Sequence, residues 1–208
     1  MKGSMFVIGL TGGIGSGKST VSDMLRAKGA AVVYADLLGH EAYRPDTAVW
    51  GEVVAAFGRE VLAADGEVDR RKLGSIVFAD PEARRRLDAI THPPMRRLMA
   101  ERLDELRRQG ARVAVLEAAL LIEAGWVDLT DEVWLTLAPP AVAAQRLMAR
   151  NGLSREEAEA RIASQLSNAE RLERANVVID TDCSLPEVAR RVDELWEGLA
   201  TRLAARTG

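Results

Sequence analysis

The residues best suited to chemistry form a glycine-rich run near the start of the chain, Gly12-Gly13-Ile14-Gly15-Ser16-Gly17-Lys18-Ser19. The run matches G-x-x-x-x-G-K-[ST], a pattern whose glycines let backbone amides turn inward around phosphate oxygens. The lysine of such a loop reaches the β- and γ-phosphates, and the hydroxyl after it binds Mg²⁺. The run therefore predicts a site for a nucleoside triphosphate, although it does not identify the phosphate acceptor.

Asp36 is the second candidate for chemistry, and its place in the sequence gives it weight. A helix from Gly17 to Lys28 would run about 18 Å, and the six residues Ala30–Ala35 would return about 20 Å as a strand. We therefore expect Asp36 to emerge beside the phosphate loop, at the strand edge where ligands bind. A carboxylate there would hold Mg²⁺ through water or accept a proton from an attacking hydroxyl, which favours an alcohol as acceptor. The alternative is that Asp36 caps the next helix.

Further candidates follow the later elements. Glu117 follows a strand and is either a carboxylate near Mg²⁺ or an ordinary loop acid. Arg146 and Arg150 share a helix face and, with the helix that follows, suggest a lid that closes on ATP phosphates; the alternative is a solvated face with salt bridges. His92 precedes Pro93 in a predicted break between two helices, where it either donates to a substrate group or bridges the break.

The elements that must position these residues predict an α/β fold. Continuous apolar runs alternate with longer helical stretches, as is typical of a parallel sheet that is covered on both faces. The expected strands are Phe6–Leu10, Ala30–Ala35, Val113–Leu116, Val133–Leu137 and Val177–Ile179. The expected helices are Lys18–Lys28, Ala48–Phe57, Pro81–Ile90, Pro94–Arg108, Ala141–Arg150, Arg155–Arg174 and Leu185–Arg206.

The spacing of the strands predicts an insertion. Residues 36–111 separate the second and third strands, 76 in all, whereas a simple crossover needs about a dozen. We therefore predict a five-stranded parallel sheet flanked by helices, with a nucleotide-binding core of residues 5–38 and 111–206. Residues 39–110 form a helical substrate-binding insertion, and residues 139–165 form a lid. Residues 1–4 are interpreted as a short extension outside the fold.

Composition narrows the class of protein. Of 208 residues, 48% are hydrophobic and 28% charged, and the net charge is −3, which disfavours a protein whose main task is to coat nucleic acid. The one cysteine, Cys183, excludes an internal disulfide and a multi-cysteine metal site. There is no run of about 18 apolar residues, so we expect no membrane span.

The whole pattern resembles the dephospho-coenzyme A kinase family. The matching segments span nearly the whole chain in the family's order. They are Ile8–Thr20, Ala35-Asp36, Gly39-His40, Phe57-Gly58, Asp65-Gly66, Asp69-Arg70, Leu73-Gly74, Val77-Phe78, Ile90–Pro93, Leu120–Gly125, Arg146-Leu147, Arg161-Ile162 with Gln165, and Ala175–Asp180.

The resemblance implies a function and a set of roles. The protein would phosphorylate the ribose 3′-hydroxyl of dephospho-coenzyme A with ATP and Mg²⁺, the last step of coenzyme A synthesis, with Asp36, Lys18 and Arg146 as catalytic residues. Asp36 and His92 would contact the substrate, and Ser19 would bind the metal. ATP would be held by Gly13, Ile14, Gly15, Ser16, Gly17, Lys18, Ser19 and Thr20. We expect a cytoplasmic monomer or weak homo-oligomer with no nucleic-acid or membrane partner.

Two positions depart from the family pattern. Tyr34 replaces the first acid of the usual Asp-Ala-Asp, although the second acid is kept as Asp36. The segment Glu117–Leu121 replaces the usual Asp-x-Pro-Leu-Leu, which weakens a role for Glu117.

Two rival functions stay open at the level of sequence. One is another small phosphate-loop kinase, acting on a nucleoside monophosphate or a metabolite alcohol. The other is a nucleotide-dependent switch, since Asp36-Leu37-Leu38-Gly39 fits the D-x-x-G of GTPases. Two observations disfavour the switch. The segment begins only 18 residues after Lys18, which leaves little room for the usual switch segment, and no N-K-x-D guanine signature follows.

Overall fold

A computed structural model describes residues 5–205, except for the side chain of His40. The extension of residues 1–4 and the predicted helix end at Arg206 lie outside the described residues. The chain divides into two compact units, one formed by the chain up to Val33 and from Leu103 onward, the other by Tyr34–Arg102. The predicted insertion, residues 39–110, overlaps most of the second unit.

The first unit contains the sheet. Within residues 5–205 the strands are β1 (Phe6–Thr11), β2 (Ala31–Tyr34), β3 (Val113–Glu117), β4 (Glu132–Leu137) and β5 (Val177–Asp180). Their spatial order is β2-β3-β1-β4-β5, and β1 pairs in parallel with both β3 and β4. The predicted parallel five-stranded sheet is confirmed.

Helices alternate with the strands along the chain. Those of the described residues are α1 (Lys18–Ala27), α2 (Ala35–Ala42), α3 (Ala48–Phe57), α4 (Arg70–Ala79), α5 (Pro81–Arg108), α6 (Pro140–Asn151), α7 (Arg155–Ala163), α8 (Asn168–Leu172) and α9 (Leu185–Ala205). Short 3₁₀ turns cover Arg59–Val61 and Trp126–Leu129. No helix among residues 5–205 is both long and apolar enough to cross a membrane.

The main core lies between one sheet face and two helices. Alternate residues of the central strand, Phe6, Ile8 and Leu10, pack with buried residues of α1 and α9. Leu25 of α1 and Val192 of α9 are fully buried in this cluster. Because β1 sits in the middle of the sheet and under both helices, it is the rigid base from which the following loop projects.

The second unit has its own core. Val53 of α3 and Val61 are fully buried there, beside Leu73 of α4 and Phe57. The start of α4 is capped by the side chain of Asp69, which accepts hydrogen bonds from two backbone N–H groups of the first turn. The helices α2 and α4 were absent from the sequence prediction.

Two helix predictions were wrong. The expected break at Thr91–Pro94 is absent, because α5 continues through Pro93 and Pro94. A proline inside a helix removes a donor without forbidding the helix to continue, and the Thr91 hydroxyl donates to the carbonyl of Leu87 on the same helix. In contrast, the single helix expected over residues 155–174 is split, because Ser167 begins a new helix with its own capping box.

The central strand provides a test of this architecture. We expect Leu10→Ala to lower the free energy of unfolding by about 2–5 kcal/mol, since it removes a fully buried side chain from the main core. Urea unfolding of the purified protein measures the change. Leu185→Ala, which trims a side chain that is 60% exposed, is the control and should have little effect. Equal losses for the two variants would contradict the assigned core.

Candidate active site

The loop between β1 and α1 has the backbone of a phosphate-binding loop. Gly15 and Gly17 have φ of 77° and 83°, in the left-handed region that side chains disfavour. Gly17 is the N-cap of α1 and uses no side chain to cap the helix. The first backbone N–H groups of α1 therefore stay available for an anion, and the positive end of the helix dipole faces the same place.

Close packing explains the glycine at position 12. A Cβ there would lie 2.3 Å from Thr136 Oγ1 and 2.5 Å from the Thr136 carbonyl oxygen. The Thr136 hydroxyl also lies 2.8 Å from Ser16 Oγ and is within 3.2 Å of the Thr11 carbonyl oxygen. Strand β4 therefore holds both ends of the loop against the sheet.

Lys18 begins α1 and folds back along the loop. Its Nζ donates to the carbonyl oxygen of Gly12 at 2.8 Å and to that of Gly13 at 3.4 Å. The side chain is half-buried. The ammonium group is thus fixed at the beginning of the loop, as expected for a cation that meets the β- and γ-phosphates.

The outer side of the loop is bound by residues of α6 and of the segment after β5. Arg146 Nη1 donates to the Gly15 carbonyl at 3.2 Å, and its Nη2 donates to the Thr181 carbonyl at 2.6 Å. The Thr181 hydroxyl lies 2.9 Å from the Ser16 carbonyl. Arg146 also donates to the Thr181 hydroxyl at 3.1 Å, so it lies at the loop, and its contact with the transferred phosphate stays a prediction.

Three residues of the site were missed by the assignment of roles from sequence. Gln165 Oε1 accepts the backbone N–H of Ile14 at 2.8 Å. Arg171, 2% exposed, forms an ion pair with Glu123 at 2.7 Å. A Cβ on Gly13 would lie 3.4 Å from Arg171 Nη1, so this cation is adjacent to the loop. The sequence does carry one indication of the role of Gln165. The capping box at Ser167 begins a new helix, so Gln165 lies in the connection before it and not inside a continuous helix.

Asp36 lies in the first turn of α2, in the second unit. The N-cap of that helix is Tyr34, so the alternative role of Asp36 as an N-cap is wrong. Asp36 is exposed, and among the described residues, which leave out the His40 side chain, none makes a hydrogen bond or ion pair with its carboxylate. Its role as a proton acceptor stays a prediction.

Glu117 ends β3 opposite Leu10 of the central strand. Leu10 is two residues before Gly12, so the strand register places Glu117 at the edge where the phosphate loop begins. Its role toward a metal ion stays a prediction.

His92 lies on α5, in the second unit. Its Nε2 is 3.3 Å from Asp88 Oδ1, one turn earlier on the helix. Burial lowers the pKa of His92 below its ordinary value; the Asp88 carboxylate opposes this, and the Arg84 guanidinium adds to it. The imidazole is therefore mainly neutral at pH 7, so that it would offer a substrate a hydrogen bond rather than a full charge. Its contact with substrate stays a prediction.

The sheet order, the glycine loop between β1 and α1, and the lysine that opens α1 together define a phosphate-loop kinase fold. The family model described as Dephospho-CoA kinase matches residues 6–187. The chain therefore belongs to the dephospho-CoA kinase family.

Individual relatives agree over almost the whole chain. The dephospho-CoA kinase of Geobacter sulfurreducens is 53% identical over 192 residues, which cover 92% of this chain and 98% of the relative. A crystal structure from Thermus thermophilus superposes with a TM-score of 0.80 at 38% identity, covering 94% of this chain and 98% of that one. The dephospho-CoA kinase structure from Campylobacter jejuni gives 0.69 at 26% identity, with coverages of 94% and 97%.

The lowered pKa of His92 predicts a pH dependence of stability. Below about pH 6.5 the unfolded chain binds a proton at this histidine more readily than the folded chain does. We therefore expect the stability of the parent, relative to His92→Gln, to be constant above that pH and to fall as the pH decreases below it. Urea unfolding of both proteins at a series of pH values measures the difference. A relative gain in acid would mean that attraction to Asp88 outweighs burial.

Proposed function

We propose that this protein transfers the γ-phosphoryl group of ATP to the ribose 3′-hydroxyl of dephospho-coenzyme A, giving coenzyme A and ADP. The observation that carries the proposal is the family match over residues 6–187. The bond from the γ-phosphorus to the bridging oxygen of ADP breaks, and a bond from the ribose oxygen to that phosphorus forms. The proton of the hydroxyl must leave as this happens, so the reaction needs a base.

The donor half of the reaction uses the phosphate loop. The amides at the start of α1 would bind phosphate oxygens, and Lys18 would neutralise charge on the β- and γ-phosphates. The hydroxyl of Ser19 is exposed in the first turn of α1, so it fits a Mg²⁺ ion that arrives with ATP and keeps mostly phosphate and water ligands. Such an ion would supply further positive charge to the phosphates beside that of Lys18. Arg146 would add a guanidinium contact to the transferred group.

The acceptor half of the reaction uses Asp36 as the base. Asp36 follows Tyr34, the last residue of β2, by two residues, which span at most about 7 Å, so Asp36 lies near the end of that strand. Its carboxylate is exposed and without a partner among the described residues, which supports a role in accepting the hydroxyl proton. His92, in the same unit as Asp36, would hold the substrate by a hydrogen bond.

An acceptor screen tests the proposed function. With ATP and Mg²⁺ present, we expect turnover with dephospho-coenzyme A to exceed that with AMP, CMP or gluconate by more than about a hundredfold, because those acceptors lack the binding energy of the full substrate. A coupled assay for ADP measures all four. Equal or faster turnover of any other acceptor would overturn the proposal, and tight GTP binding without acceptor-dependent turnover would favour a switch.

The role of Asp36 has its own test. We expect Asp36→Asn to lower kcat by about 10²–10⁴-fold, because an amide cannot accept the hydroxyl proton, while the Kd for ATP stays at the parental value. Glu52→Gln, which neutralises an exposed acid of the same unit, is the matched control and should leave kcat unchanged. A parental kcat for Asp36→Asn would exclude the general-base role.

A further inference from the structure

The connection between α7 and α8 touches the phosphate loop through one side chain. Gln165 Oε1 accepts the N–H of Ile14 at 2.8 Å across 151 residues of sequence. Ile14 lies two residues after the glycine that opens the loop. One of the amides of the loop is therefore already occupied by the protein itself, and the question is whether Gln165 leaves when a nucleotide binds or stays and takes part.

The surroundings of Gln165 favour a permanent contact. The next residue, Leu166, gives its carbonyl oxygen to a guanidinium N–H of Arg171. Asn168 Nδ2 donates to the Ala138 carbonyl at 3.0 Å. The capping box of Ser167 fixes the backbone between these two points. Because Leu166, Ser167 and Asn168 are each held by hydrogen bonds, the backbone beside Gln165 has little freedom to move away from the loop.

A buried ion pair lies behind this segment. Arg171 is 2% exposed and the side chain of Glu123 is 16% exposed, with 2.7 Å between Arg171 Nη2 and Glu123 Oε1. The pair is incompletely satisfied, because Arg171 Nε and Glu123 Oε2 are buried without a hydrogen-bond partner among residues 5–205. A buried pair of this kind is weak evidence for stability, but Arg171 also holds the carbonyl of Leu166, the residue next to Gln165.

The hydrogen bond from Ile14 fixes the orientation of the Gln165 amide. An N–H group needs an acceptor, so the oxygen of the carboxamide faces Ile14 and the Nε2 group lies on the other side. That group carries two N–H donors, and none of the residues and side chains that the structure describes accepts either of them. Two oriented donors therefore remain beside the phosphate loop.

The position of Lys18 indicates which phosphate these donors would meet. The amides near the start of α1 cradle the inner phosphates, whereas the loop lysine reaches the β- and γ-phosphates. Lys18 Nζ lies at the opposite end of the loop, on the carbonyl oxygens of Gly12 and Gly13. Gln165 contacts the loop at the adjacent residue, Ile14, so its donors stand at the γ-phosphate end.

We propose that Gln165 contacts the substrate, with Oε1 held by the Ile14 N–H and Nε2 donating to an oxygen of the γ-phosphoryl group. Arg171 and Glu123 are positioning residues that hold Gln165 in place through Leu166. The inference rests on the proposed function only in that the ligand is a nucleoside triphosphate; it does not depend on the identity of the acceptor.

The decisive variant is Gln165→Glu. A glutamate keeps an acceptor for the Ile14 N–H but lacks the two donors and brings a negative charge toward the γ-phosphate. We expect the Kd for ATP to rise at least about tenfold and the Kd for ADP to change less than about threefold, the ratios that the loss of a hydrogen bond to a charged group would give. Titration calorimetry without an acceptor measures both Kd values. Gln145→Glu, which adds the same charge at an exposed position of α6, should leave both values unchanged.

The other outcomes separate the alternatives. Parental or tighter ATP binding by Gln165→Glu or Gln165→Ala would mean that Gln165 only occupies the loop until a nucleotide arrives, and would overturn the proposal. Equal weakening of ATP and ADP would overturn the assignment to the γ-phosphate. Because no acceptor is present, a failed acceptor screen leaves these results intact, and the two proposals fail independently.

The positioning role needs a variant that keeps the fold. Loss of one partner alone would leave a buried charge, so the double variant Glu123→Leu/Arg171→Met replaces the pair by apolar side chains. We expect its Tm to stay near that of the parent while its Kd for ATP rises about tenfold and its Kd for ADP rises less. The matched control, Glu132→Leu/Arg202→Met, removes an ion pair between β4 and α9 and should leave the preference for ATP unchanged. Parental ATP affinity in the first double variant would exclude the positioning role.

Discussion

The phosphate loop imposes one constraint on everything around it. Apart from that of Ile14, which donates to Gln165, its N–H groups must be available to an anion, so its carbonyl oxygens face the protein and need donors there. Side chains from different parts of the chain supply these donors. The pairs are Lys18 with Gly12, Arg146 with Gly15, and Thr181 with Ser16. The loop is thus shaped from behind by groups that are far apart in sequence, and much of the first unit can be understood as the scaffold that brings them together.

The same constraint couples the loop to the helical hairpin of α6 and α7. The hairpin reaches the loop at two places, through Arg146 on α6 and through Gln165 just after α7. Arg146 donates to a carbonyl oxygen of the loop, whereas Gln165 accepts a hydrogen bond from one of its N–H groups. The hairpin is therefore joined to the loop by polar contacts at both of these places.

The strand, loop and helix around Lys18 could be predicted because each is specified locally, by a buried apolar run, by glycines and by a helix start. The helix boundaries elsewhere could not be predicted in the same way, because two local sequence patterns favoured different structures at the same place. At Pro93 the proline predicted a break, but the helix α5 continues through it. At Ser167 a local capping box prevailed over helical periodicity. The contact of Gln165 with Ile14 has no local signature, because it exists only after the chain has folded.

The arginines show why burial, rather than number or spacing, identifies the working cations of this protein. Arg150 and Arg155 of the hairpin are exposed and interact with residues close to them in sequence, Asn151 and Glu159. Such pairs contribute little to stability. Arg171 belongs to a helix of only five residues outside the predicted lid, and it is almost completely buried against an acid 48 residues away. Its cost of desolvation must be met by a structural or functional gain, and the segment that it holds is the one that touches the phosphate loop.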